Sequence, residues 1–176
     1  DRYAFVGAVS ASVVVVEGAD ADEDALDFSG LLNGGLSLDL GVTTPQAIAT
    51  GLTLTVSNAT GIENVVGTAF ADTVVGNARD NVLSGLAGDD HLDGGAGSDT
   101  VVESGDVDFT LTPSTLVGVG SDVLTGIEGA RLSAGAGANT FTLIGWMGNA
   151  TLAGDAGDDR YAVSYTHLTL PTILLV

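Results

Sequence analysis

The chain has 176 residues, of which 26 are glycine and 23 are Asp or Glu against 4 Lys or Arg, for a formal net charge of -19. It contains no cysteine, which excludes a disulfide framework and a thiolate metal site, and so negative a field repels nucleic-acid phosphate and anionic membrane surfaces. An apolar fraction of 45% is enough to build a core, so the acidity calls for a folded explanation rather than disorder, and divalent cations are its natural partners.

The opening Asp1-Arg2-Tyr3-Ala4 carries neither an initiator methionine nor a signal-peptide pattern. It returns as Asp159-Arg160-Tyr161-Ala162, which predicts a fragment of a longer repeated array. Ala11-Ser12-Val13-Val14-Val15-Val16 reads as a strand, and Leu36/Leu38/Leu40 and Leu52/Leu54/Val56 alternate as half-buried strands do. Between them the acids from Glu17 to Asp24 read as a solvated loop, one that calcium could also occupy. Residues 1–65 are thus expected to form degenerate solenoid coils.

From Gly67 to Val102 the period is nine: GTAFADTVV, GNARDNVLS, GLAGDDHLD and GGAGSDTVV follow one another without insertion. Glycine opens each unit, at Gly67, Gly76, Gly85 and Gly94. An acid or amide stands at Asp72, Asn81, Asp90 and Asp99, and an apolar residue two places later, at Val74, Leu83, Leu92 and Val101. The polar turn recurs before a helix could complete its usual three turns, so the period predicts a glycine-rich turn alternating with a three-residue strand. Glycines permit positive φ and close approach, and the short strand sends its large apolar residue inward. Two units make a coil, and stacked coils make two parallel sheets about 4.8 Å per step around a thin apolar ladder. Residues two units apart then superpose, Asp72 with Asp90 on one edge and Asn81 with Asp99 on the other. Like-charged carboxylates held close oppose one another's ionisation, whereas an oxygen-rich cavity suits calcium, with its six to eight oxygen ligands. Capping of exposed turns is the alternative role for these aspartates, most of all for Asp72, whose turn has Phe70 where the better units have glycine.

Gly94-Gly95-Ala96-Gly97-Ser98-Asp99-Thr100-Val101, and with one departure at Leu86 the unit from Gly85 to Leu92, resemble the RTX or haemolysin-type calcium-binding repeats, with consensus Gly-Gly-x-Gly-x-Asp-x-apolar-x. The resemblance implies an all-β parallel β-roll, or β-solenoid, over residues 66–108. It also implies calcium ligation by the carboxylates of Asp90 and Asp99 with backbone carbonyls of the glycine-rich segments, Gly85, Ala87 and Gly88 in one and Gly94, Ala96 and Gly97 in the other. Asn81 is a neutral ligand in a turn where Arg79 replaces a glycine, so its site is weaker or absent.

Asp106 and Asp108 follow the block in an imperfect frame, as candidates for its last turn. Gly126-Ile127-Glu128-Gly129 echoes Gly61-Ile62-Glu63-Asn64, and both resemble connecting coils of large RTX surface proteins. Residues 109–162 should continue the roll in degenerate form. Asn139 falls two units before Asp159 if two residues after Thr142 loop out, pairing them as a further site. Gly145 to Leu152 keeps the glycine frame but has Ala150 at the ligand position, and Trp146 there reads as a turn-packed aromatic. The tail 163–176 breaks the period, resembles a translated sequencing adapter, and is expected to be non-native and unpaired.

No His-Glu-x-x-His element or Gly-x-Ser-x-Gly elbow occurs, and His91 sits one place off the inward position, as a surface strand residue does. The segment is therefore expected to be non-enzymatic. The resemblance implies a calcium-dependent structural piece of a secreted or cell-surface bacterial protein, adhesin-like and exported by type I secretion. Its partners would be calcium, adjoining repeats and a host or matrix ligand, with no nucleic acid and no transmembrane segment. The alternatives are a non-catalytic module of an exported protease, lipase or epimerase, and a calcium-independent scaffold.

Overall fold

A computed structural model of the chain describes residues 1–8, 10–18, 22–164 and 172–175. Among the described residues, nineteen strands run in chain order. The amino-terminal part holds β1 (Arg2–Gly7), β2 (Ala11–Val15), β3 (Ala25–Leu31), β4 (Ser37–Asp39), β5 (Gln46–Ala49) and β6 (Leu52–Val56). The nonapeptide block supplies β7 (Asn64–Val66), β8 (Thr73–Val75), β9 (Val82–Ser84), β10 (His91–Asp93) and β11 (Thr100–Ser104). Beyond it come β12 (Phe109–Thr112), β13 (Thr115–Val117), β14 (Ser121–Thr125), β15 (Gly129–Ser133), β16 (Thr140–Ile144), β17 (Asn149–Ala153), β18 (Arg160–Ser164) and β19 (Ile173–Leu175).

The chain winds between two eight-stranded sheets, in the orders β1-β3-β7-β9-β11-β15-β17-β19 and β18-β16-β12-β13-β14-β10-β8-β4. Sequential strands alternate between the sheets through the repeat block, so each nonapeptide is half a coil, as the period predicts. Pairing there is parallel: Thr73 lies opposite His91 and Val82 opposite Thr100. The inward positions Val74, Leu83, Leu92 and Val101 are each at most 1% exposed, whereas His91 is exposed. At roughly 25 cal/mol per Å2 of apolar surface, this continuous ladder is what holds coils with three-residue strands together.

The uniform roll has three departures. A third sheet, β2-β6-β5, flanks the amino-terminal coils, with β5 antiparallel to β6; it buries Leu52, Leu54 and Val56. A meander of β12, β13 and β14 interrupts the second sheet with two antiparallel pairings. After it the coils lengthen, and β15 to β18 are five-residue strands in continuous parallel register. No two-residue loop forms after Thr142, because the added residues extend the strands. The larger coil is filled by a stack of rings, Phe109 on Phe141 at 5.6 Å and Phe141 on Tyr161 at 5.2 Å, a geometry that adds to simple area burial.

The expectation of an unpaired tail is corrected. Val163 and Ser164 pair with Leu143 and Ile144, and β19 pairs with β17. β19 is the end strand of its sheet, so it needs hydrogen-bond partners on one side only. Residues 165–171, including Pro171, lie outside the described residues. Trp146 is 2% exposed, as a turn-packed aromatic should be, while Met147 beside it is 69% exposed. Ala150 is not at a ligand position: it lies within β17, opposite Ala130.

Candidate metal centre

The coil register stacks the acidic positions into columns. On the edge that precedes the second sheet, the Asp72 N–H donates to Asp90 Oδ1 at 2.8 Å and the Asp90 N–H to Asp122 Oδ1 at 3.0 Å. On the opposite edge the Asn81 N–H donates to Asp99 Oδ1 at 2.7 Å and the Asp99 N–H to Glu128 Oε2 at 2.9 Å. The superpositions Asp72/Asp90 and Asn81/Asp99 are those the period predicts, 18 residues apart. Each carboxylate thus caps a backbone donor of the preceding coil, where no strand is available to do so. The column residues Asp72, Asn81, Asp90, Asp99 and Asp122 are all buried, at 1–4% exposure.

The four nonapeptide turns nevertheless differ. In the first, Asp72 Oδ2 accepts the Thr68 N–H at 2.6 Å, and Oδ1 accepts the Thr68 hydroxyl and the Leu36 N–H, both at 2.8 Å. In the second, Asn81 Oδ1 accepts the Asn77 N–H at 2.8 Å, and its amide donates to the Glu63 carbonyl at 3.1 Å. Both turns are closed by their own side chains. The third and fourth adopt another backbone: Leu86 and Gly95, at the second position, have φ of +71° and +87°, and Gly88 and Gly97, at the fourth, +134° and +132°. With its second residue left-handed, the turn does not direct that N–H at the carboxylate. Asp90 Oδ2 and Asp99 Oδ2 are then buried without any hydrogen-bond partner.

The glycines are required by this geometry. A Cβ on Gly85 would collide with Asp90 Oδ2, and one on Gly94 would meet Asp99 Oδ2 at 2.5 Å, so the opening glycine of each unit makes the space beside the open oxygen. Burial pushes the Asp90 carboxyl up to about 7, reinforced by the charges of Asp122, Asp72 and Asp89 against the opposing hydrogen bond from Asp72. Asp99 and Asp122 are also raised, in each case chiefly by burial. A buried anionic oxygen without a donor is costly until a proton or cation supplies the missing charge. The donor set is entirely oxygen, on glycine-rich turns that can adapt to a large coordination sphere, which fits calcium better than the compact octahedron of magnesium. The predicted carbonyl donors Gly85, Ala87, Gly88, Gly94, Ala96 and Gly97 all lie in these two turns; Gly88 also bridges to Gly120, where any Cβ would strike the Gly88 carbonyl oxygen.

Asp108 does not close the Asp72/Asp90 column. Its place is taken by Asp122, because β13 and β14 intervene between β12 and β10. Asp108 is exposed and accepts the Thr140 N–H at 2.7 Å, one place out of register with Asn139 and Asp159, which form a separate column. There the Asn139 N–H donates to Asp159 Oδ1 at 2.9 Å, and Asn139 Oδ1 is buried without a partner. Asp155 and Gly157 repeat the left-handed second and fourth positions, at φ +60° and +117°.

Several acids that reach into the columns were not among the predicted ligands, among them Glu63, which is buried, and Glu128, which is exposed. Glu128 and Glu63 occupy column positions, each reaching back to cap the N–H of an aspartate one coil earlier, Asp99 and Asp24 respectively; the echoed Gly-Ile-Glu was their signal. Asp24 belongs to no solvated loop, being 3% exposed. The carboxylates of Asp1, Glu17 and Asp24 lie within 4.8 Å of one another, but Asp24 holds the terminal ammonium at 2.5 Å and Glu17 accepts from the Tyr3 hydroxyl, so this cluster has partners of its own. Asp122 had no local signal, since the meander separates it from the period.

Comparison with known families agrees with this geometry. Residues 66–101 match the family model for the RTX calcium-binding nonapeptide repeat, in four copies. These repeats bind Ca2+, so this segment is a structural calcium-binding module built on a β-roll. No curated protein matches the chain. No helix among the described residues is long and apolar enough to cross a membrane.

Proposed function

We propose that the chain binds calcium at the third and fourth nonapeptide turns, through Asp90 Oδ2 and Asp99 Oδ2 with carbonyls of Gly85 to Gly88 and Gly94 to Gly97, and that binding completes folding. The carrying observation is that these two buried carboxylate oxygens have no partner, whereas Asp72 has donors on both oxygens. An ion there neutralises the like-charged columns and ties successive coils together. Its binding energy is added to folding energy. The Asn139/Asp159 column is a weaker site of the same kind, while Asp72 and Asn81 act mainly as turn caps and Asp108 as a cap on Thr140.

Such coupling suits a protein exported unfolded from a calcium-poor cytosol and folded outside, in keeping with the secretion route that RTX resemblance implies. The role is then that of a structural segment in a secreted or surface bacterial protein, adhesin-like, with adjoining repeats as neighbours. Circular dichroism during calcium titration tests it: β signal should be weak in chelator and rise on adding calcium. Full β signal in chelator, unchanged by millimolar calcium, would favour the calcium-independent scaffold instead, for which the self-closed turns at Asp72 and Asn81 speak. Asp90→Asn with Asp99→Asn keeps the shape and the Oδ1 acceptors, and should weaken calcium binding; unchanged affinity moves the sites elsewhere.

A further inference from the structure

The four Lys or Arg side chains of the sequence are all arginine, and the fold uses them unevenly. Arg2 pairs with Asp27 and Arg79 with Glu63, both acids being 5% exposed, whereas Arg131 and Arg160, beyond the repeat block, make no ion pair among the described residues. Arg79 stands at the fourth position of its nonapeptide, where Gly88 and Gly97 stand in the next two. Its backbone N–H donates to Asn77 Oδ1 at 2.9 Å, and the Asn77 amide donates to the Ile62 carbonyl at 2.7 Å. The Arg79 guanidinium donates to the Thr60 carbonyl at 3.0 Å and lies 2.8 Å from Glu63 Oε1. Through Asn77 and Arg79 the second turn thus holds residues 60–63 at three points. Among the described residues, Glu63 Oε1 is one of five buried side-chain oxygens without a hydrogen bond, with Asp90 Oδ2, Asp99 Oδ2, Glu103 Oε2 and Asn139 Oδ1. Of the five it alone has a cationic nitrogen against it. Glu63, Asn81 and Asp99 each precede a residue of one parallel register, Asn64, Val82 and Thr100, so Arg79 meets Glu63 in the same column in which Asp99 Oδ2 stays open.

We infer that Arg79 is a tethered cation that takes the ion's part for Glu63, so that the coils up to β9 hold their fold without calcium and form the template on which the third and fourth turns close when the ion binds. Only the second half of this statement rests on the calcium reading of those two turns. A guanidinium carried by the chain is present at any calcium concentration and survives chelation, and it supplies the charge that a buried carboxylate otherwise lacks. The other buried acids on this side also have partners within the chain. Asp72 has donors on both oxygens, and Asp24 Oδ1 holds the backbone nitrogen of Asp1. Burial raises the Asp27 carboxyl, but hydrogen bonds from Ser29 and Arg2 hold it below its ordinary value, the reverse of Asp90. These coils also have apolar burial that the nonapeptide ladder lacks, with Phe5 stacked on Phe28 at 4.6 Å and Ile48, Leu52, Leu54 and Val56 of the third sheet at most 2% exposed. In a stack whose coils contact only their neighbours, stability is a sum of coil and interface contributions, so one part can stand while the next is open.

Hydrogen exchange read by mass spectrometry on the full chain, in chelator and in calcium, follows the two parts separately. In chelator the amides of β7 and β9 should stay protected while those of β10 and β11 exchange freely; exchange in β7 and β9 as fast as in β10 and β11 would overturn the inference. Arg79→Met keeps an aliphatic stem and removes the charge. In chelator it should speed exchange in β7 and β9 by about tenfold or more, less than the loss of a wholly buried pair because Arg79 is partly exposed. Calcium should then slow that exchange more than it does in the parent. Unchanged exchange in chelator counts against the tethered cation, and so does a loss of equal size with and without calcium, which marks packing alone. If the single variant does not fold, Arg79→Met combined with Glu63→Gln decides: with both charges gone protection should return, and a double variant as unprotected as the single one overturns the inference. Protection of β10 and β11 that is already complete in chelator would sink the calcium reading of the third and fourth turns instead, while the single and double variants compared in chelator still decide the role of Arg79.

Discussion

The turns opening at Gly67 and Gly76 and those opening at Gly85 and Gly94 share one length, one register and one column of acids or amides, yet they end in opposite chemical states. In the first pair, Thr68 and Asn77 fold back on the turn and their N–H groups satisfy Asp72 and Asn81. Arg79, standing where the later units have glycine, places a guanidinium 2.8 Å from Glu63 Oε1 and so gives that column a cation from within the chain. In the second pair the left-handed second residue and glycine fourth residue leave Asp90 Oδ2 and Asp99 Oδ2 open. Two substitutions per unit therefore separate a turn that caps itself from one that leaves a buried carboxylate oxygen open to the proposed ion.

The largest effect that would break this comparison is removal of calcium. At a free concentration a hundredfold above the dissociation constant each ion adds about 2.7 kcal/mol, so two sites should raise stability by about 5 kcal/mol, as measured by urea unfolding with and without chelator. The Asp90→Asn, Asp99→Asn double variant should lose most of that difference, and Asp72→Asn little of it. A comparable loss in Asp72→Asn would erase the distinction between the pairs.

Next come Gly85→Ala and Gly94→Ala. Each Cβ would occupy the space beside the open oxygen, at a cost of about 1–3 kcal/mol from overpacking, with calcium affinity reduced as well. Calorimetry that finds undiminished affinity would show that the ion does not use this space.

The pH dependence of the ion-free chain is a third test. Asp90 is raised to about 7, above its unfolded value near 4, so the folded form holds a proton that the unfolded chain releases. Stability from this group is full below about 4 and lost as pH rises through 7. In chelator, the urea midpoint should be higher at pH 5 than at pH 8; in calcium the trend should flatten or reverse, because binding displaces the proton.

Thr68→Val removes the hydroxyl that donates to Asp72 Oδ1 and receives the Phe70 N–H. It should cost about 1–2 kcal/mol with no change in calcium affinity, marking the first turn as structural. The smallest effect is at Leu86, a non-glycine residue at φ +71°. Leu86→Gly should relieve about 1 kcal/mol of backbone strain, offset in part by unfolded-chain entropy, and leave the midpoint equal or slightly higher; a marked loss would mean that the leucine side chain, not the backbone, holds the turn.

The nine-residue spacing by itself determined the half-coil, the inward ladder from Val74 to Val101 and the superposition of Asp72 on Asp90 and Asn81 on Asp99, since a fixed period converts directly into register. Gly88, Gly97 and Gly95 announced the open turns because only those backbones need positive φ. Tertiary structure decided where the columns end. Asp122 lies over Asp90 at a separation of 32 residues, and Asp108 is set aside, because the length of an inserted meander is not encoded in the local period. Whether an acid is open or capped also depends on donors from elsewhere, such as Leu36 for Asp72 and Val119 for Glu103.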